Sequence, residues 1–197
     1  MITFKNFNIA DWFSFYRICA APFLLILIIL DLRLAFTWLL LVSFSTDAID
    51  GYLARKYKMI SAKGAQLDSL GDQLTTIVAL IGLYVFEKDF IHENLIIIII
   101  AFLPYFLQMG LAYWKYGKTT AYHTYLAKFS ALLQGIFFLW ALFFSPSYTL
   151  FYIMIGFSIL ETLEEITLIF MYDKWVSDVR GIYWALHDKR RVKKNEK

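Results

Sequence analysis

Four aspartates, two glycines, an alanine and an arginine lie at fixed intervals within one short stretch of the chain. Apolar runs flank this stretch on both sides. Acids this close to a membrane interior are costly unless a cation gathers them. Because carboxylate oxygens without histidine or cysteine suit Mg²⁺ or Mn²⁺ rather than zinc, the stretch indicates a site for a pair of divalent ions. Its residues are Asp47, Asp50, Gly51, Ala54, Arg55, Gly64, Asp68 and Asp72.

The spacing of these residues predicts two helix faces. The first group starts at Asp47 and follows the pattern i, i+3, i+4, i+7, so its members share one face of a helix. Gly64, Asp68 and Asp72 follow i, i+4, i+8 and share a face of the next helix. A short basic connection joins the two helices, so we expect them to run antiparallel as neighbours. Their inner faces would then bring the four carboxylates together.

The small residues and the arginine in this motif suit a phosphate ligand. Gly51, Ala54 and Gly64 carry almost no side chain and leave room for a bulky ligand near the backbone. Arg55 adds a planar donor fork that matches phosphate. Two metal ions about 3.5–4 Å apart are a recurrent device for phosphoryl transfer. The combination predicts a pyrophosphate site at the membrane surface.

Each of these residues also has a structural interpretation when it is taken alone. A small residue in a membrane helix is often a packing contact. A single aspartate at a helix end is often a cap, and Arg55 alone would serve as a cytoplasmic anchor. The fixed spacing of all eight residues together favours the ligand site.

The sequence around the motif is typical of a membrane protein. Of its 197 residues, 60% are hydrophobic and 18% are charged, whereas a soluble domain usually carries about a quarter charged residues. Too little polar sequence remains to cover six helices in water. The sequence therefore predicts an all-α integral membrane fold with six transmembrane helices. The corresponding runs are Trp12–Leu30, Leu34–Ser45 continuing into the motif, Leu67–Phe86, Leu95–Trp114, Tyr125–Phe144 and Tyr148–Tyr172.

The charges of the connections alternate along the chain. The connection after the motif is basic, the connection Glu87–Glu93 is acidic, and the next one is basic again. Positive loops stay in the cytoplasm, so both termini and the motif are expected on the cytoplasmic side. Met1–Asp11 and Trp175–His187 are predicted as interfacial amphipathic segments, followed by a basic tail that suits anionic lipid. We find no repeat and expect one domain over residues 1–197.

The motif is similar to the signature of the CDP-alcohol phosphatidyltransferase family, D-x2-D-G-x2-A-R-x8-G-x3-D-x3-D, at all eight positions. Arg17, followed after four residues by Pro22, also resembles the first helix of that family. The resemblance implies a membrane enzyme, usually dimeric, that displaces CMP from a CDP-linked lipid donor with a small alcohol. No nucleic-acid partner is expected. A bacterial inner membrane fits the small size of the chain.

The resemblance also implies a role for each position of the motif. Asp72 would share in metal binding and act as the base that takes the alcohol proton. The ligands of the two Mg²⁺ or Mn²⁺ ions would be Asp47, Asp50, Asp68 and Asp72. The cytidine and pyrophosphate pocket would be lined by Gly51, Ala54 and Gly64, with Arg55 close to the phosphates.

The acceptor alcohol is less well defined by the sequence. Glycerol 3-phosphate is the commonest acceptor among bacterial-type members of this size, and its phosphate needs cationic partners. No arginine lies between Arg55 and Arg180. Lys118 and Lys128 are available there, and Ala127-Lys128 resembles the Gly-Lys pair at which helix 5 begins in several members. Lys128 is therefore expected as a phosphate contact.

Acidic residues in the last apolar run leave other functions open. Glu161, Glu164 and Glu165 either receive a cationic alcohol such as serine, ethanolamine or choline, or form structural pairs with a lysine or a hydroxyl. A phospho-alcohol moved from CDP-choline or CDP-ethanolamine to a lipid is a further alternative. A cation transporter would favour broken helices or acids near the bilayer midplane. A scaffold would not need four acids at strict spacing.

Overall fold

The computed structural model describes residues 9–56 and 62–187 and, within these ranges, the side chains of residues 11–47, 49 and 67–187. This part of the chain is helical and contains no β-strand, so the predicted all-α class is confirmed. One isolated bridge pairs Ala121 with Ser177, and residues 182–187 form a final helical segment. The helices are α1 (Ile9–Ile29), α2 (Arg33–Lys56), α3 (Ala62–Phe86), α4 (Lys88–Glu93), α5 (Leu95–Tyr116), α6 (Tyr125–Phe143) and α7 (Tyr148–Met171).

Four helices in the described ranges are long and apolar enough to cross a membrane. They account for four of the six predicted spans. Helices α2 and α7 have 24 residues each, but α2 ends in the charged motif and α7 carries three glutamates, so their apolar character is interrupted. The six-span count stays a prediction. The four candidate spans are Asp11–Ile29, Leu67–Phe86, Leu95–Tyr116 and Tyr125–Phe143.

The acidic connection after α3 contains a short helix that the sequence analysis did not predict. Lys88–Glu93 forms this helix, α4. Its Phe90 is buried, and the amide of Ile91 donates to the carbonyl of Glu87 at 3.0 Å. The charged connection is thus helical and carries one buried aromatic ring.

The chain forms two compact units, of which unit 1 contains residues 1–91 and 138–146. In unit 1, α1 packs along both α2 and α3, whereas α2 and α3 contact each other less. The sequence analysis expected α2 and α3 to meet directly through their motif faces. In the structure α1 is the principal partner of both, and this brings an additional helix to the motif.

Arg33 connects distant segments of unit 1. Its Nε donates to the carbonyl of Leu142 at 2.8 Å, and its Nη2 donates to the carbonyl of Ala141 at 2.7 Å. Both carbonyls belong to the last turn of α6, where backbone acceptors lack intrahelical donors. Arg33 also forms an ion pair with Glu87. One side chain at the start of α2 thus joins the end of α3 to the end of α6.

Gly82 marks a point of close packing between α2 and α3. A Cβ atom at this position would lie 2.3 Å from Cζ of Phe36. Phe36 is fully buried and packs on Phe86 with ring centroids 5.5 Å apart, so its ring has little room to move. We expect Gly82→Ala to destabilise the protein by about 1–3 kcal/mol through overpacking, measured as a lower melting temperature in detergent.

Gly135→Ala is the matched control for this substitution. Gly135 also lies inside a helix, and nothing is found within 4 Å of the position that its Cβ would take. This variant should not lower the melting temperature of the unsubstituted protein, because alanine favours a helix more than glycine does. Equal melting temperatures for the two variants would contradict the close contact at Gly82.

Unit 2 contains residues 92–137 and 147–197, and within it α5 packs on α7. Two backbone hydrogen bonds fix the segment after α7 to the connection between α5 and α6. The amide of Asp178 donates to the carbonyl of Ala121 at 3.0 Å, and the amide of Tyr125 donates to the carbonyl of Arg180 at 3.2 Å. The interfacial position of this segment stays a prediction. Residues 1–8 and the basic tail lie outside the described residues.

Candidate functional site

Three of the four motif aspartates lie together in unit 1. One carboxylate oxygen from each of Asp47, Asp68 and Asp72 lies within 4.8 Å of the others. Asp47 belongs to α2, while Asp68 and Asp72 are one turn apart on α3 and therefore share a face. Their side chains are 47%, 46% and 49% exposed. These half-exposed oxygens are hard donors of the kind that Mg²⁺ and Mn²⁺ prefer, and the set can hold a divalent ion.

A buried arginine from α1 binds all three carboxylates. Nη1 of Arg17 donates to both Asp47 and Asp72, and Nη2 donates to Asp68 at 2.6 Å. The Arg17 side chain is only 1% exposed. The sequence analysis noted Arg17 as part of the resemblance but did not assign it to the site. A signal was present, because a cation inside an apolar helix needs an acidic partner.

Gly71 lets α1 approach the aspartates closely. It lies on α3 between Asp68 and Asp72. A Cβ at this position would come to 3.3 Å from the carbonyl oxygen of Ser14 and 3.5 Å from Cβ of Arg17. The lack of a side chain at Gly71 therefore lets the backbone of α1 at Ser14 lie close to α3, next to Arg17. The motif spacing in the sequence did not single out this glycine.

The other five motif residues lie on the same two helices, four on α2 and one on α3. Their side chains are outside the part of the chain whose side chains the structure describes. The ligand and pocket roles expected for them stay predictions. These residues are Asp50, Gly51, Ala54, Arg55 and Gly64.

The two lysines that were expected to contact phosphate lie in unit 2 and differ in their surroundings. Nζ of Lys118 lies 3.5 Å from the ring centroid of Trp175, which is a cation–π contact. The indole of Trp175 in turn donates to the carbonyl of Thr119 at 2.9 Å. Lys118 thus contacts Trp175 and helps to hold the segment after α7 in position. Lys128 is exposed, with Nζ 5.7 Å from the Tyr125 ring.

Glu165 is the centre of a polar network in unit 2. Its Oε2 accepts hydrogen bonds from Nε2 of Gln108 and from the hydroxyl of Thr120, each at 2.7 Å. Nε2 of Gln108 also donates to Thr120 Oγ1 at 2.8 Å. This arrangement supports the structural interpretation of Glu165 that the sequence analysis left open, with a hydroxyl as its partner.

The other two glutamates of α7 are partly buried. Oε1 of Glu164 accepts a hydrogen bond from the backbone amide of Ile182 at 3.3 Å, so Glu164 also holds the segment after α7. Glu161 lies one turn before Glu165 on the same helix face. Binding of a cationic acceptor by Glu161 and Glu164 stays a prediction.

Thr120→Val is expected to destabilise the protein by about 1–3 kcal/mol, because valine keeps the shape of threonine but leaves Glu165 and Gln108 without their shared partner. The melting temperature in detergent measures this loss. Thr119→Val is the control one residue away, since the side chain of Thr119 is exposed. A Thr120→Val protein as stable as the control would show that the network contributes little.

The sequence pattern of CDP-alcohol phosphatidyltransferases matches residues 7–175, a range that includes all of α1 to α7. The chain belongs to the CDP-alcohol phosphatidyltransferase family. The predicted family and the predicted transferase class are thereby confirmed, in preference to a transporter or a scaffold. Together with the four apolar helices, membership indicates an integral membrane protein of phospholipid synthesis.

Several curated relatives carry one name, CDP-diacylglycerol–glycerol-3-phosphate 3-phosphatidyltransferase. The relative from Haemophilus influenzae is 29% identical over 132 residues, which cover 59% of this chain and 71% of the relative. The relative from Rickettsia typhi is 28% identical over 131 residues, which cover 64% of this chain and 71% of the relative. A Yersinia pestis relative is 33% identical over 81 residues, which cover 38% of this chain and 42% of the relative.

CDP-alcohol phosphatidyltransferases use divalent metals, and the donors of this member fit such ions. Three carboxylates meet within 4.8 Å, and each offers two oxygens. The single guanidinium of Arg17 neutralises one of their three negative charges, so two remain for a divalent ion to balance. This set of carboxylate donors is consistent with the predicted divalent cofactor.

Proposed function

We propose that this phosphatidyltransferase moves the phosphatidyl group of CDP-diacylglycerol to glycerol 3-phosphate and releases CMP. The main support for this proposal is that the half-exposed carboxylates of Asp47, Asp68 and Asp72 lie close together. The names of the relatives support the choice of donor and acceptor. Two Mg²⁺ or Mn²⁺ ions would be held by these three residues together with Asp50.

In this reaction Asp72 is the general base. Its carboxylate takes the proton of the acceptor hydroxyl as the hydroxyl oxygen attacks the phosphorus of the phosphatidyl group. The bond between that phosphorus and the bridging oxygen of the pyrophosphate breaks, and the electron pair leaves with CMP. When bound, the divalent ions supply positive charge that stabilises the charge growing on CMP.

The remaining motif residues would bind the donor. Gly51, Ala54 and Gly64 leave space for cytidine and pyrophosphate near the backbone, and Arg55 offers a donor fork for the phosphates. Of the two lysines predicted as phosphate contacts, we favour Lys128 for the acceptor phosphate, because the ammonium group of Lys118 already lies on the Trp175 ring.

The proposed setting is a bacterial inner membrane with six spans, in which α2 and α7 complete the four apolar helices. The positive charges of the connections favour cytoplasmic termini and a site at the inner leaflet. A homodimer is proposed from the family resemblance, with CDP-linked lipid, the alcohol and surrounding membrane lipids as further partners.

The test uses the full-length protein purified into nanodiscs. CMP release from CDP-diacylglycerol is measured with glycerol 3-phosphate, serine, ethanolamine, choline or inositol, with and without EDTA, and the lipid product is identified by mass spectrometry. We expect release with glycerol 3-phosphate that EDTA abolishes and Mg²⁺ or Mn²⁺ restores. Metal-dependent release with serine, ethanolamine or choline alone would support a cationic acceptor at Glu161 and Glu164 instead.

A separate arm supplies CDP-choline or CDP-ethanolamine with diacylglycerol. Formation of phosphatidylcholine or phosphatidylethanolamine in this arm, without any reaction of CDP-diacylglycerol, would overturn the proposed donor. Undiminished release of CMP in the presence of EDTA would overturn the role of the aspartates as ligands of divalent ions.

A further inference from the structure

We infer that Arg17 is a positioning residue of the aspartate cluster: its guanidinium holds one oxygen of each carboxylate from the buried side and so prepares the cluster for divalent ions. This inference rests on the proposed function, because it assumes that the aspartates bind metal. It concerns a residue of α1, which lies outside the motif stretch on α2 and α3.

The pattern of hydrogen bonds supports a positioning role. Among the described side chains, Arg17 uses its two terminal nitrogens to reach three carboxylates on two different helices, and each of these bonds is made to Oδ1. The second oxygen of each aspartate takes no part in these bonds. A planar donor fork with several fixed N–H directions is well suited to hold several acceptors in one arrangement.

The burial of the groups shows from which side the cluster is held. Arg17 is 1% exposed, whereas the three carboxylates are about half exposed. The cation therefore lies on the inner side of the cluster, and among the described side chains the accessible side is formed by the three carboxylates. An ion that arrives from solvent or from the membrane surface meets the aspartates before it meets Arg17.

The position of Arg17 is fixed by its burial and by its charged partners. Its side chain is 1% exposed and lies next to Gly71 of α3. Moving a buried charge away from its partners would carry a large desolvation cost. Burial and the three carboxylates thus hold the guanidinium in place.

Electrostatic repulsion explains why the cluster needs such a residue. Three carboxylates whose oxygens lie within 4.8 Å repel one another, and without a cation they would turn apart towards solvent. With Arg17 in place, the aspartates stay assembled before metal arrives. Asp47, Asp68 and Asp72 are then already ordered before the metal binds, which lowers the free-energy cost of ordering these ligands.

The test measures metal affinity directly in purified full-length protein. Mn²⁺ binding is followed by electron paramagnetic resonance for the unsubstituted protein and for Arg17→Gln and Arg17→Lys. We expect Arg17→Gln to weaken Mn²⁺ binding by about 10–100-fold, the range found for residues that orient metal ligands. Arg17→Lys keeps the charge but not the fork, so it should recover part of the affinity.

Arg33→Gln is the control, because Arg33 also pairs with an acid and with backbone carbonyls in unit 1 but does not contact the aspartates. It should lower the melting temperature and leave Mn²⁺ affinity unchanged. Unchanged or tighter Mn²⁺ binding in folded Arg17→Gln or Arg17→Lys protein would overturn the inference. Absence of binding in the unsubstituted protein would instead overturn the proposed metal site, and the role of Arg17 with it.

Discussion

Asp72→Asn is expected to lower the rate constant of CMP release by about 10²–10⁴-fold, the range associated with loss of a general base. Asparagine has nearly the shape of aspartate and keeps an oxygen that can accept the bond from Arg17. It cannot take a proton from the acceptor hydroxyl. Divalent-ion binding should therefore remain largely intact while turnover is lost, as measured by CMP release under saturating metal and by Mn²⁺ resonance.

Asp89→Asn is the matched control for this variant. Asp89 is exposed on α4, and the same chemical change there should leave both measurements unaltered. Near-normal turnover in Asp72→Asn would rule out Asp72 as the base. Loss of Mn²⁺ binding together with turnover would mean that Asp72 serves mainly as a metal ligand.

Asp68→Ala is expected to remove both metal binding and activity. Substitutions of outer residues that only orient a metal ligand cost about 10–100-fold in affinity, so loss of a ligand itself should exceed that range. CMP release should fall in parallel and recover little at high Mg²⁺. The change also removes a charged acceptor of the buried Arg17, so the melting temperature should drop as well.

Ser69→Ala provides the control on the neighbouring residue, whose side chain is exposed. It should retain affinity, activity and melting temperature. If Asp68→Ala bound Mn²⁺ as well as this control, the assignment of Asp68 as a ligand would be wrong. Taken together, Asp72→Asn and Asp68→Ala separate proton transfer from metal binding, because only the second should lose both.

The sequence was sufficient to predict the helices and part of the site. Long apolar runs predicted the long helices, and four of the described helices are long and apolar enough to cross a membrane. The spacing of Asp68 and Asp72 predicted a shared helix face, and the structure places both carboxylates with that of Asp47. These features depend on local periodicity, which a single sequence shows directly.

The involvement of α1 could not be derived from periodicity. Which helices pack together depends on the fit of particular surfaces, and here the fit depends on the approach of Ser14 and Arg17 to Gly71. The sequence analysis noted Arg17 only through its resemblance to the first helix of the family and assigned it no partner. Its acidic partners became evident only from the packing of α1 on α2 and α3.

The partners of Glu165 were hidden for a similar reason. Gln108 lies 57 positions away along the chain and Thr120 lies 45 positions away. Neither belongs to a pattern that includes a glutamate of α7. Long-range hydrogen bonds of this kind follow from the tertiary fold, so the sequence could state the need for a partner but not its identity.

The dependence of unit 1 on two separate chain segments has a consequence for biosynthesis. Asp72 lies 55 positions after Arg17 in the sequence. The carbonyl acceptors of Arg33, by contrast, lie 108 and 109 positions after it. Because a chain emerges from the ribosome from its N-terminus and folds as it emerges, the acidic cluster can assemble on the nascent chain while the end of α6 has yet to be translated. An error in inserting α6 would therefore break the hydrogen bonds of Arg33 to Ala141 and Leu142. The contacts of Arg17 with the aspartates would remain.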